Sequence, residues 1–298
     1  MAICNKFILS VLTLLTKNCF LIQTIALCGN GLIGLNETMT KANYQFIEVL
    51  GKRLETYWYG PNPGEAPTLI FLHEGLGSAE LWRDFPQTLA DACGCGALVY
   101  SRAGYGHSDT IDLPRGTDYL HSEGLEVLPK LLEKLSVKEH ILIGHSDGGS
   151  IALISAGGAP RAGLLGVITE AAHVFNEPII PPAIRKVTPL YREGDLRERL
   201  AKYHDHVDAA FYGWHDTWLS DDFQSWNIEE FLPTIEVPAL VLQGEDDHYG
   251  TPKQVEAIAT QVENARAILI PNCAHVPHQE QREITLELMT DFIKTFSL

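Results

Sequence analysis

Cations are scarce in this chain. Lys and Arg together number 22 against 38 Asp and Glu over 298 residues, a formal net charge of −16. A nucleic-acid backbone demands clustered Lys and Arg, and no basic run of that kind occurs, so nucleic acid is set aside as a partner. The acidic surplus reads as a solubility feature with no specific partner attached to it. Cysteine is sparse as well: six in a chain of this length make no disulfide framework. Cys93 and Cys95 stand too close for an unstrained bridge and lack the second pair that zinc needs. Internal repeats are missing. So is a dinucleotide fingerprint, because Gly104-Tyr105-Gly106 has neither the third glycine nor an immediate helix.

Long uninterrupted apolar runs are also missing. Phe7 to Thr16 and Cys19 to Cys28 are apolar, but Lys17-Asn18 parts them, and a single span over 7–28 would bring Lys17 near the bilayer centre at a cost of about 2.5–3.5 kcal/mol. No stable membrane span is therefore expected. Two further readings of residues 1–38 stay open. One is a signal peptide, with no clear small-x-small cleavage site and with Leu27 where a lipoprotein signal has a small residue before its cysteine. The other is translation from Met39, after which the globular pattern begins almost at once. The first makes the protein exported or membrane-associated, the second cytoplasmic.

What the chain does contain is organised around Glu139 to Gly149. His140 to Ile143 read as a buried strand and Ser150 to Ser155 as a helix, with Gly144-His145-Ser146-Asp147-Gly148 between them. A G-x-S-x-G at a strand-to-helix turn is a nucleophile elbow: the tight bend lifts the hydroxyl out of the sheet, and the glycines let strand and helix approach.

Around this centre the pattern alternates. Tyr44 to Leu50 and Arg53 to Tyr59 predict a strand hairpin turning at Gly51-Lys52, and Thr68 to Leu72 and Leu98 to Ser101 predict further strands. Leu164 to Thr169, Ala239 to Gln243 and Ala267 to Ile270 complete the set. Helices are expected over 79–92, 119–135 (with Pro129 as a kink or start) and 279–296. Strands alternating with helices imply an α/β fold, a mostly parallel sheet covered on both faces, whose ligands bind beyond the carboxyl ends of the strands. The alternation breaks between Phe175 and Pro233. That stretch has helix-like segments around Leu196 to His206 and many Trp and His residues, and it reads as a helical cap insertion, 176–233, between core segments 39–175 and 234–298. His204, His206 and Asp208 alternate as metal ligands can, but alternate residues diverge on a helix, so no metal is assigned. Packing is the expected role of Trp214, Trp218 and Trp226.

A serine hydroxyl attacks only when a base takes its proton and a carboxylate orients that base. Twelve histidines are available. His275 lies in the loop after the last strand, at the sheet edge where it can reach the elbow, with His278 as a rival in the same loop. His145 is disfavoured, because its neighbouring backbone position directs it away from the Ser146 hydroxyl. After the penultimate strand, Glu245, Asp246 and Asp247 stand in a row, and spacing alone does not separate the two aspartates. Glu170, at the end of an earlier strand, is a weaker candidate. The oxyanion needs donors: the N–H of Asp147, directly after the nucleophile, and one from the His73 to Gly77 loop, Gly75 first and Leu76 as alternative.

From about Gln45 onward the chain resembles the α/β-hydrolase superfamily. The motifs that carry this are His73-Glu-Gly-Leu-Gly-Ser78, Ser101-Arg-Ala-Gly-Tyr-Gly-His-Ser108, Gly144-His-Ser-Asp-Gly-Gly149, Gly244-Glu-Asp-Asp247 and Cys273-Ala-His275-Val-Pro. The resemblance implies an eight-stranded sheet, a helical cap and no cofactor, and it selects Asp247 as the acid and His275 as the base. It departs from the family at Glu74, where a glycine is usual, and at Ala274, likewise. The expected activity is hydrolysis of a small or medium carboxylic ester through an acyl-enzyme on Ser146. Alternatives are a carbon–carbon bond hydrolase or an aminopeptidase with the same triad, or a receptor on the hydrolase fold. Dehalogenation and epoxide opening are disfavoured, since related enzymes of those classes carry an aspartate in the place of Ser146. The partner is a small-molecule substrate; the sequence leaves the oligomeric state open.

Overall fold

The computed structural model describes residues 43–296, which belong to one compact unit, Ala42–Leu298. The N-terminal segment 1–38 lies outside the described residues. Eight strands form a single sheet: β1 (Asn43–Val49), β2 (Lys52–Tyr59), β3 (Thr68–Leu72), β4 (Gly96–Tyr100), β5 (His140–His145), β6 (Leu164–Glu170), β7 (Ala239–Gly244) and β8 (Ala265–Ile270). Their spatial order is β1-β2-β4-β3-β5-β6-β7-β8. β1 is antiparallel to β2 and β2 to β4, while every other pair is parallel. The hairpin turns one residue earlier than expected, at Leu50 and Gly51, whose φ of 49° and 79° give the twist a two-residue turn needs.

The apolar runs become the strands buried on both faces, β3, β4, β5 and β7. On one face Phe71, Val99, Ile143, Ile168 and Leu240 pack against Phe85 and Leu89 of α1 (Phe85–Cys93) and against Met289 and Ile293 near the C-terminus. The expected helix 79–92 is instead a 3₁₀ turn, Ala79–Trp82, a reversal at Arg83 (φ 55°) and then α1. Pro86 is the cause, since it fits only a first turn. The predicted helix 119–135 runs as α2 (Tyr119–Ser122), a π turn (Glu123–Val127) and α3 (Leu128–Lys134). The wider turn falls just before Pro129, where a backbone donor is missing. On that side lies also α4 (Asp147–Gly158), the helix of the elbow, buried nearly all round.

Between β6 and β7 come α5 (Ile180–Arg185), α6 (Val187–Arg192), α7 (Leu196–Leu200) and α8 (Val207–Leu219). The long helix follows the expected 196–206 segment rather than coinciding with it: Val207, Ala210, Phe211, Trp214 and Trp218 recur at helical spacing and are buried. Tyr191 stacks on Phe211 with ring centroids 3.6 Å apart. After β7 and β8 come α9 (Pro252–Gln261), α10 (Pro277–Glu280) and α11 (Arg282–Ile293). The expected 279–296 helix is thus broken, at Gln281. Among the described residues no helix is long and apolar enough to cross a membrane.

Candidate active site

Parallel strands β3, β5, β6, β7 and β8 all end at one edge of the sheet, and the loops beyond that edge carry each candidate residue. Ser146 lies between β5 and α4 with φ 51° and ψ −116°, a conformation a non-glycine residue holds only when its surroundings enforce it. They do: the Ser146 N–H donates to the Glu170 carbonyl at 2.8 Å, and the Ser146 carbonyl accepts the first helical bond from Ser150 at 3.0 Å. A Cβ on Gly148 would stand 1.9 Å from the Leu72 carbonyl oxygen, and one on Gly144 2.1 Å from that of Gly148. Glycine at both positions is therefore a condition of the bend. Asp147 opens α4, so its N–H is one of the helix's unsatisfied donors, at the positive end of the dipole.

His275 Nδ1 lies 2.9 and 3.0 Å from the two carboxylate oxygens of Asp247. This leaves Nε2 as the nitrogen available for proton transfer. Asp247 also accepts the Tyr249 N–H at 2.9 Å. Burial pushes its carboxyl up, but the charge and hydrogen bond of His275, with the Tyr249 N–H and His173, outweigh that, so its pKa lies below the ordinary value. Glu245 and Asp246 are exposed, and it is the third acid whose side chain turns inward, 2 % exposed. The His275 loop is held by the Glu280 carboxylate, which accepts the N–H groups of Ala274 (2.7 Å) and Val276 (3.0 Å).

The rival candidates are engaged elsewhere. His278 Nδ1 meets Glu170 at 2.9 Å under the Trp82 ring. His145 directs Nε2 to the His275 carbonyl at 2.7 Å. The H-D-H-V-D run dissolves as a ligand set: His204 accepts the Gly106 N–H at Nδ1 and donates from Nε2 to the Leu76 carbonyl, while Asp208 accepts from Tyr191 and Arg197. Among the described residues no group of three His, Cys, Asp or Glu is arranged to hold a metal ion.

In the loop after β3, the Glu74 carbonyl accepts from His73 Nδ1 (2.7 Å) and from Arg102 Nη2 (2.9 Å). A trans peptide then turns the Gly75 N–H to the opposite side, away from those donors. The loop lies directly under α8: a Cβ on Gly75 would stand 2.3 Å from Trp214 Cδ1. Sequence reasoning missed the buried group beside Ser146. The Asp147 carboxylate accepts the Tyr119 hydroxyl at 2.7 Å and faces Arg102 Nη2 at 3.5 Å, and Trp218 Nε1 donates to the same tyrosine at 2.9 Å. Burial works against the Arg102 charge, yet Asp147, Tyr105 and Glu123 keep its pKa above the ordinary arginine value. No local pattern marks these residues, which come from four separate segments.

Residues 69–288 match the Alpha/beta hydrolase family. The chain is 25 % identical over 274 residues to a proline iminopeptidase of Saccharolobus solfataricus, covering 77 % of this chain and 86 % of that protein. It is 29 % identical over 202 residues to the human serine hydrolase BPHL, covering 66 % and 69 % of the two chains. In structure it is similar to the enol-lactonase of Burkholderia xenovorans LB400, with a TM-score of 0.66 and 21 % identity over 84 % of this chain and all of that one. With three quarters of its length matched, on an eight-stranded sheet whose edge gathers the elbow, the acid and the histidine, the chain belongs to the alpha/beta hydrolase family.

Proposed function

We propose that this hydrolase cleaves small or medium carboxylic esters through an acyl-enzyme on Ser146. The observation that carries the reading is the Asp247–His275 contact beyond the same sheet edge as a serine held at φ 51°. Ser146 Oγ attacks the carbonyl while His275 Nε2 takes its proton; the N–H groups of Asp147 and Gly75 receive the oxyanion. The proton passes to the leaving alcohol, and a water activated by the same histidine releases the acid. Asp247 holds the imidazole and compensates the charge it acquires. Residues 176–233 act as the cap, with Trp214 and Trp218 forming its aromatic underside.

An aminopeptidase is the second reading, favoured by the resemblance to proline iminopeptidases over three quarters of the chain. The triad would be the same and the scissile bond an amide. A fluorophosphonate probe with peptide mass spectrometry tests the nucleophile. The expected result is one stoichiometric adduct, on Ser146, lost in His275→Ala; labelling elsewhere or none at all sinks the mechanism. Turnover of p-nitrophenyl butyrate against proline p-nitroanilide separates the substrates: ester turnover without amide turnover supports the first reading, and the reverse supports the second.

A further inference from the structure

Glu74 stands where the family usually has glycine, and its side chain does not extend into solvent. It folds back into its own loop, so that a Cβ on Gly77 would fall 2.3 Å from Glu74 Oε2. There the carboxylate, one-fifth exposed, lies 3.5 Å from Nδ1 of His145, whose side chain is 1 % exposed. That is an ion-pair distance rather than a strong hydrogen bond. The other nitrogen of the same ring, Nε2, lies 2.7 Å from the backbone carbonyl of His275. One imidazole thus joins three loops: the β3 loop by Glu74, the elbow by its own position before Ser146, and the base-bearing loop by the His275 carbonyl.

We propose that Glu74 and His145 form a positioning pair: the imidazolium of His145, held by Glu74, donates to the His275 carbonyl and sets the base against the nucleophile and the oxyanion loop. This rests on the serine-hydrolase reading above. Only the doubly protonated ring meets both partners. In a neutral ring, either Nδ1 presents its lone pair to the carboxylate or Nε2 presents its own to the carbonyl. The remaining neighbours of His145 are the rings of His275 (5.2 Å), His278 (5.3 Å) and Trp82 (6.3 Å) and the carboxylate of Glu170, which His278 engages. Burial alone would lower the His145 pKa, but Glu74, Glu170 and the His275 carbonyl raise it to about 9. A folded-state value above the unfolded 6.5 means that the pair's contribution is complete below about pH 6.5 and lost as pH rises through about 9.

Ester turnover is measured from about pH 6 to about pH 10 in wild type, Glu74→Gln and His145→Gln, with melting temperatures and Ser146 labelling alongside. The wild type is expected to lose kcat above about pH 9. In Glu74→Gln the alkaline limb should move down by about one pH unit and kcat fall about tenfold with KM little changed, as a misplaced base requires. His145→Gln keeps an N–H near the Nε2 position and cannot titrate, so its alkaline limb should vanish while part of the activity survives. Superimposable profiles in wild type and Glu74→Gln would overturn the pair. So would losses that follow melting temperature alone. A wild type that neither labels nor turns over ester fails the functional reading itself, and the pair falls with it; an active wild type with unshifted variants fails the pair only.

Discussion

Ser146 is held in a backbone conformation that costs of the order of 1–3 kcal/mol, and the contacts that enforce it are backbone to backbone. Removing its hydroxyl should leave the elbow standing. Ser146→Ala is expected to lower turnover by at least about 10⁴-fold with melting temperature unchanged, and near-normal activity in that variant would exclude an acyl-enzyme. Asp247→Asn addresses the orientation of His275 instead. It keeps the shape of the acid but offers Nδ1 an amide that can favour the wrong tautomer, so kcat should fall by about 10⁴-fold with KM little changed. Steady-state kinetics of the two variants compares loss of the Ser146 hydroxyl with loss of the Asp247 carboxylate beside His275. Gly148→Ala stands apart from both: its methyl group would meet the Leu72 carbonyl 1.9 Å away, and the strand or the helix must move. Destabilisation of about 3 kcal/mol or more, read from urea unfolding, is the expected outcome.

Between elements, the clearest tie joins the turn before α8 to the loops at the sheet edge. His204 accepts the Gly106 N–H and donates to the Leu76 carbonyl, bonds of 3.0 and 3.1 Å that require the neutral ring. Burial lowers its pKa to about 4, against smaller upward effects of the Leu76 carbonyl, Glu74 and Asp205. A histidine depressed in this way contributes stability that is present above its unfolded value of about 6.5 and lost as pH falls through about 4. Thermal melts should therefore show wild type losing stability between those limits faster than His204→Gln, which cannot titrate; parallel slopes would remove His204 from the account. The same tie sets where α8 begins, since the chain must turn at 201–206 to deliver this ring before the apolar face of α8 can start. The H-D-H-V-D pattern could suggest a helix or ligands, but not a side chain bound to two backbones.

At the scale of the whole molecule, the described residues pack a large apolar cluster against one face of the sheet. Ile143 is fully buried in it, packed with Phe71, Ile168 and Leu240, three residues before Ser146. Ile143→Ala should cost about 2–5 kcal/mol, seen as a lower urea midpoint at unchanged slope. Activity per folded molecule should survive better than stability, because the elbow is held by its own hydrogen bonds. Most of this architecture was legible before the fold was known. Apolar runs of four to six residues set between turn signals and helical periodicities read as buried strands, and G-H-S-D-G between a strand and a helix reads as an elbow. Pro129 announced the break at Glu123–Val127, after which α3 begins, whereas those at Arg83 and Gln281 were not legible from the local period. What the sequence by itself determined, then, is the order of elements and the place of Ser146 between a strand and a helix, both of which rest on short-range pattern. Tertiary structure alone decided that Asp247 turns inward while Asp246 does not, that His278 belongs to Glu170, and that His145 reaches a carbonyl 130 residues away in the chain. Those choices depend on where loops from separate strands meet at one sheet edge, and no local periodicity encodes that meeting.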